Sequence, residues 1–132
     1  MAVTGADVVV CLCEEHELAE RYPEYVQWLR SNVPARAVWS PVPDFHAPEL
    51  AAALQLLGLL RSRLDRGETV LMHCGGGIGR TGTMAAALLI TMGMSLADAL
   101  AVVAASRPMA GPEVGAQTAL LEALAAHRPR AG

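Results

Sequence analysis

The chain reads as an α/β domain of three layers, a mostly parallel sheet with helices on its faces. Three observations point there. Apolar runs with β-branched residues recur at 7–13, 36–40 and 69–73, each of strand length. Stretches of apolar residues at helical spacing separate them. The third run feeds a glycine-rich loop that opens a long apolar helix pattern, the strand–loop–helix order of an α/β unit. Ligands of such sheets bind off the carboxyl ends of the strands.

The elements follow in order. Residues 1–6 are a lead-in. Asp-Val-Val-Val-Cys-Leu-Cys at 7–13 is a continuous apolar run, the pattern of a strand buried on both faces. Residues 14–20 form a helical turn or short helix. Pro23 suits the first turn of a helix to about Ser31 that buries Val26 and Leu29, and Asn32 and Pro34 stop it. The second strand ends at Pro41 and Pro43, which impose an extended loop over 40–47. Pro48 starts the next helix, with Leu50, Leu54, Leu57 and Leu64 as its stripe. Arg61, Arg63 and Arg66 gather at its solvated C-terminal end, before Gly67 as the C′ cap. The third strand runs to His73. A helix from Thr81 to about Met92 has almost no polar face and should be central. Ser95, in a Ser95-x-x-Asp98 capping box, starts a helix to about Ser106. Pro112 starts the last helix, which turns Leu120, Leu121 and Leu124 inward, and residues 128–132 form a mobile tail.

The 132 residues make one domain, 1–132, with room for a real core. With 53% apolar and 17% charged residues, disorder is excluded. A net charge of -3 leaves no broad nucleic-acid surface, so no nucleic-acid partner is expected. The uncharged stretch 81–97 is divided by Gly93 and the Ser95 cap, so it reads as buried helix and not as a membrane span. No signal peptide is visible, and a cytoplasmic monomer is expected. Cys11, Cys13 and Cys74 are too few and too odd for a disulfide framework; Cys11 and Cys13 read as buried small hydrophobes. No Cys/His spacing suggests zinc, so neither a metal site nor a cofactor is expected.

Chemistry concentrates in His73-Cys74-Gly75-Gly76-Gly77-Ile78-Gly79-Arg80-Thr81-Gly82. Unpaired amides and a helix N-terminus make such a loop an anion cradle. A thiol opens it and an arginine closes it. A thiol attacks phosphorus only as thiolate, a form that a nest of N–H groups favours. The amides from Gly75 to Arg80 can hold three phosphate oxygens, and Arg80 adds a planar fork that lysine cannot copy. The Gly77-x-Gly79-x-x-Gly82 spacing also matches a dinucleotide fingerprint, but a second helix follows where a strand ending in an acidic residue is needed. A nucleotide P-loop would need lysine in place of Arg80 and another glycine spacing.

His73-Cys74-(five residues)-Arg80-Thr81-Gly82 resembles the signature loop of the cysteine-dependent protein tyrosine phosphatases, most of all their small dual-specificity branch. The likeness runs from about Asp7 to the last helix. It implies a phosphotyrosine-phosphatase-like fold with a sheet of about four strands, short at the N-terminus because the chain starts almost at its first strand. It implies Cys74 as the nucleophile that becomes phosphocysteine, Arg80 and the loop residues Gly75, Gly76, Gly77, Ile78 and Gly79 as the phosphate site, and Thr81 as a hydrogen-bond donor to the departing sulfur. His73 would tune the thiolate or be a plain buried histidine. Pro43-Asp44-Phe45-His46-Ala47-Pro48 resembles the family's general-acid loop, with Asp44 as acid and then base, and His46 as the alternative. Arg107-Pro108 and Gln117 resemble the segment behind the loop, where Gln117 supports the loop's rear or places the hydrolytic water. The implied substrate is a phosphoprotein, on phosphotyrosine and also phosphoserine or phosphothreonine. A small phosphorylated metabolite or inositol phosphate is the enzymatic alternative, although the loop interior has no lysine. The non-enzymatic alternative is a phospho-ligand binding module.

Overall fold

A computed structural model describes residues 5–75 and 79–127. Three strands, β1 (Val8–Cys11), β2 (Ala37–Trp39) and β3 (Val70–His73), form one sheet in the order β2-β1-β3. Both pairings are parallel, with Val9 opposite Ala37 and Leu71, and Cys11 opposite Trp39 and His73. The sheet therefore has three strands among the described residues, not about four. The continuous apolar run at 7–13 takes the middle place because both of its faces can be covered: Val8 to Cys11 are all buried. β3 lies at the edge, and Leu71 there is 42% exposed.

Among the described residues six helices surround the sheet: α1 (Glu15–Ala19), α2 (Pro23–Asn32), α3 (Leu50–Asp65), α4 (Gly79–Thr91), α5 (Leu96–Ser106) and α6 (Gly115–His127). α4 packs against α3, α5 and α6 and buries Met84, Ala86, Ala87 and Ile90, as its missing polar face predicts. It ends at Gly93, whose φ of 110° is the left-handed turn that glycine allows. The Ser95 hydroxyl then accepts from the Asp98 N–H at 3.1 Å, the expected cap of α5. No helix among the described residues is long and apolar enough to cross a membrane.

Three local expectations need correction. The buried stripe of α3 is Ala53, Leu56, Leu57 and Leu60, while Leu54 is exposed. One small residue, Ala53, rotates the inward face away from the row that leucines alone suggest. The arginines after it are not merely solvated: Arg63 donates to the carbonyls of Pro34 and Ala35, both at 2.8 Å, and pairs with Glu68 at 2.7 Å. Arg61 donates to the Thr91 carbonyl at 2.8 Å, tying α3 to the end of α4. α6 begins at Gly115, not at Pro112, because the Gln117 side chain takes the Glu113 N–H at 2.7 Å and turns the chain before the helix starts.

The parallel sheet brings the carboxyl ends of all three strands to one edge, and the chain stays tied together beyond them. Leu12 N–H donates to the His73 carbonyl, Ser40 N–H to the Cys11 carbonyl and Val42 N–H to the Leu12 carbonyl, each at 2.9 Å. Behind α4, the chain at 110–111 comes so close that a Cβ on Gly82 would clash with the Gly111 backbone. Gly82→Ala should therefore destabilise the fold by about 1–3 kcal/mol in denaturant unfolding, the usual cost of overpacking against backbone. An unchanged midpoint would mean that this contact is loose.

Candidate active site

Cys74 directly follows β3 and is only 9% exposed, and Arg80 lies in the first turn of α4. Gly75 is described beside the cysteine. Gly76, Gly77 and Ile78, expected in the phosphate site, lie outside the described residues. The two ends of the loop are thus fixed by a strand end and a helix start. Gly79 begins α4, where the Glu113 carboxylate packs into the space a Cβ would fill.

Arg80 is 4% exposed, and its donors are largely spoken for. Glu17 takes a two-pronged pair, Nη1 to Oε2 at 2.8 Å and Nη2 to Oε1 at 2.7 Å. Nη1 also donates to the Val42 carbonyl at 2.7 Å. Nε has no hydrogen-bond partner among the described residues. A guanidinium has five N–H donors in a rigid plane. These three bonds leave the Nε–H and one Nη2–H, which point the same way as a second two-donor edge. Gly75, at the start of the loop, lies close to this group: a Cβ there would stand 3.2 Å from Nη2. The hydrogen bonds to Glu17 raise the Arg80 pKa further above its already high value. In return, Arg80 holds the Glu17 carboxyl below its ordinary value.

Asp44 reaches the same guanidinium from the loop after β2. Its Oδ1 is 3.7 Å from Arg80 Nε, and its side chain is 61% exposed. Oδ1 also accepts the Phe45 N–H at 3.0 Å, which fits the left-handed φ of 62° at Phe45. The loop is anchored on both sides of Asp44. Val42 is buried and bonded to Leu12 and Arg80, and the His46 carbonyl accepts from Gln117 Nε2 at 3.1 Å. Gln117 is 1% exposed and spends its amide on His46 and Glu113, so it joins the loop holding Asp44 to the start of α6. The His46 side chain is exposed. Thr81 lines an apolar cavity of about 360 Å³ with Leu60, Leu88 and Val103; its hydroxyl is buried with no hydrogen-bond partner among the described residues.

Beneath Cys74, His73 Nε2 shares a 2.5 Å hydrogen bond with the Tyr25 hydroxyl. Burial pushes the Tyr25 phenol up, so it stays protonated. Cys11 and Cys13 are buried free thiols hydrogen-bonded to each other: the bond from Cys13 lowers the Cys11 pKa, and the same bond, with burial, raises that of Cys13. Although no sequence spacing suggests a metal, Cys11, Cys13 and His73 come together here. Cys13, Glu17, Tyr25, His73, Cys74 and Gly75 line one cavity of about 370 Å³.

The sequence brings Cys74, Arg80 and Asp44 into view but not Glu17. The Glu17 carboxylate also accepts the Glu14 N–H at 2.7 Å, so Glu14-x-x-Glu17 reads locally as a helix start and nothing more. Its second partner lies 63 residues away. The only available hint is an acidic residue just past the carboxyl end of the central strand, where a buried arginine needs a counter-charge.

Comparison with known proteins agrees with this geometry. A family model described as "PTP-SAK: Swiss Army Knife protein, DSP-PTPase phosphatase domain" matches residues 1–130. The crystal structure of Tk-PTP in its active form is 35% identical, covers 92% of this chain and 80% of its own, and superposes with a TM-score of 0.78. Kinase-associated phosphatase, crystallised with its catalytic cysteine replaced by serine, shares the fold at 23% identity, with 93% and 72% coverage and a TM-score of 0.78. Cyclin-dependent kinase inhibitor 3 of Sus scrofa is 38% identical over 50 residues, a stretch that is 38% of this chain and 24% of that relative.

Because Arg80 holds the Glu17 carboxyl below its ordinary value of 4.5, their pairing stabilises the fold fully above that value and is lost as pH falls through the lower folded one. Glu17→Gln should cost about 1.5–3 kcal/mol near neutral pH, the size of a hydrogen bond to a charged group. It should also flatten the acid limb of a melting-temperature profile below pH 4.5. An acid limb identical to that of the parent protein would assign the acid sensitivity to other carboxylates.

Proposed function

The chain belongs to the DSP-type phosphatase domains of the cysteine-dependent protein tyrosine phosphatase superfamily, and from that premise we propose that it hydrolyses phosphotyrosine in proteins, with phosphoserine and phosphothreonine as further substrates. The observation that carries this reading is the state of Arg80. It is buried, fixed by Glu17 and Val42, and keeps two donors, Nε and one Nη2 hydrogen, without a hydrogen bond among the described residues, with Asp44 3.7 Å from Nε. A phosphate seated on those donors and on the amides of residues 75–80 would present its phosphorus to Cys74.

The chemistry then has two balanced steps. The Cys74 thiolate forms an S–P bond as the P–O bond to the substrate breaks. Asp44 gives its proton to the leaving oxygen, because an alkoxide or phenolate leaves poorly without one. Asp44, now a carboxylate, takes a proton from water as that water attacks the phosphocysteine, and the S–P bond breaks to return the thiolate. Thr81 would stabilise the departing sulfur by turning its unengaged hydroxyl toward it. The held Arg80 would supply positioning and charge stabilisation, which make up most of phosphoryl-transfer catalysis. Gln117 acts through position: it fixes the height of the Asp44 loop against α6 through the His46 carbonyl.

Cys74→Ser should abolish turnover of a phosphotyrosine peptide while inorganic phosphate still binds, as measured by calorimetry. Turnover by that variant would sink the assignment. Asp44→Asn should slow a phosphotyrosine peptide by about 10²–10⁴-fold, the usual worth of a positioned acid. It should slow an aryl phosphate with a good leaving group much less. Equal slowing of both would place the acid elsewhere, with His46 next to be replaced.

A further inference from the structure

Three metal-ligating side chains, two thiols and an imidazole, stand together beside the reactive loop. Cys11 and Cys13 share one face of the chain at the end of β1, two residues apart. His73 arrives from the end of β3, in register with Cys11. One donor atom from each residue lies within 4.8 Å of the other two. Both thiols are buried, the ring is half-buried, and neither cysteine is in a disulfide.

We infer that Cys11, Cys13 and His73 form a binding site for a thiophilic divalent cation of the zinc type. The donor set selects the class, since two sulfurs and an imidazole suit zinc and disfavour magnesium or calcium. The distances permit it. Zinc bonds of about 2.3 Å to sulfur and 2.0–2.1 Å to nitrogen place tetrahedral ligands about 3.5–3.8 Å apart. Small side-chain rotations close the remaining gap within the 4.8 Å cluster. The charges balance as well: two thiols bind the dication as thiolates, two protons leave to solvent, and the buried site ends neutral. The route in is the 370 Å³ cavity that Cys13 and His73 line. A water reaching the ion through this cavity would complete four-coordination. Tyr25, hydrogen-bonded to His73 Nε2, fixes the ring from behind, the usual support of a metal-binding histidine. The same cavity is lined by Cys74, so a bound ion would sit beside the reactive loop.

The test is a Co²⁺ titration of the full, reduced, metal-free chain, followed by thiolate-to-cobalt charge-transfer absorption and competition with Zn²⁺. This readout does not depend on phosphatase turnover, so the two readings can fail separately. The protein has three cysteines, so Cys74→Ser leaves only Cys11 and Cys13 as thiolate donors. The expected result is one equivalent of Co²⁺ with a charge-transfer band that survives Cys74→Ser and is displaced by Zn²⁺. Cys11→Ala should lose the band, and Tyr25→Phe should weaken binding about tenfold. A band absent from the parent protein, or lost in Cys74→Ser, would overturn the proposal; the second result would put the ion on the loop cysteine. If Cys11→Ala fails to fold, the Cys74→Ser titration decides alone.

Discussion

The site is built around one buried cation. An arginine that is 4% exposed must find counter-charge and acceptors, because an unpaired charge removed from water costs several kcal/mol at least. Arg80 finds them in two regions far apart in the sequence: the Glu17 carboxylate on α1, and the loop after β2, which brings the Val42 carbonyl and the Asp44 carboxylate. Each contact serves the fold and the site together. Glu17 joins α1 to the start of α4, and Val42 pins the loop after β2 to both the central strand and the guanidinium. The same bonds orient the fork. With three donors consumed, the remaining edge has one direction in which to bind.

That arrangement depends on close backbone approaches that only small residues allow. Gly82 lets the 110–111 segment lie against α4, and Gly79 makes room for the Glu113 carboxylate at the helix start. Gln117 then carries the tie across, from the Glu113 N–H to the His46 carbonyl on the Asp44 loop. The Asp44 loop and the 113–117 segment are therefore braced against one another through a single buried amide. Glu113 packs against Gly79 and the Gly111 backbone against Gly82, so these two glycines at the start of α4 serve packing.

Much of this is legible in the sequence, and what is not has a physical reason. Strand and helix order follow from apolar periodicity, and the separation of α4 from α5 follows from Gly93 and Ser95, because those signals are local. Cys74 and Arg80 are visible because their chemistry and spacing lie within one loop, and Asp44 because its stretch, Pro43 to Pro48, resembles the family's general-acid loop. Glu17 is invisible because a carboxylate at a helix start has a sufficient local explanation. The inward face of α3 is misread for a related reason: leucines mark an apolar row, but the buried face is set by what packs on it, and Ala53 fits where Leu54 does not. The Cys11, Cys13 and His73 cluster is invisible because parallel pairing of β1 with β3, not spacing along the chain, sets it.

In the proposed mechanism, the way Arg80 is held bears on how a phosphate site can be both rigid and strong. A lone arginine in water would offer full charge but would have to be ordered when substrate binds, at the cost of side-chain entropy and lost hydration. Here Glu17 offsets part of that positive charge, which weakens ground-state attraction for phosphate. In exchange the fork is ordered before substrate arrives, in a place from which water is largely excluded. Electrostatic stabilisation of a transition state depends more on donors that need not reorganise than on the size of the net charge. On that argument Glu17 would serve the proposed reaction through Arg80. In the proposed mechanism its carboxylate would trade affinity for orientation, and orientation is what phosphoryl transfer uses.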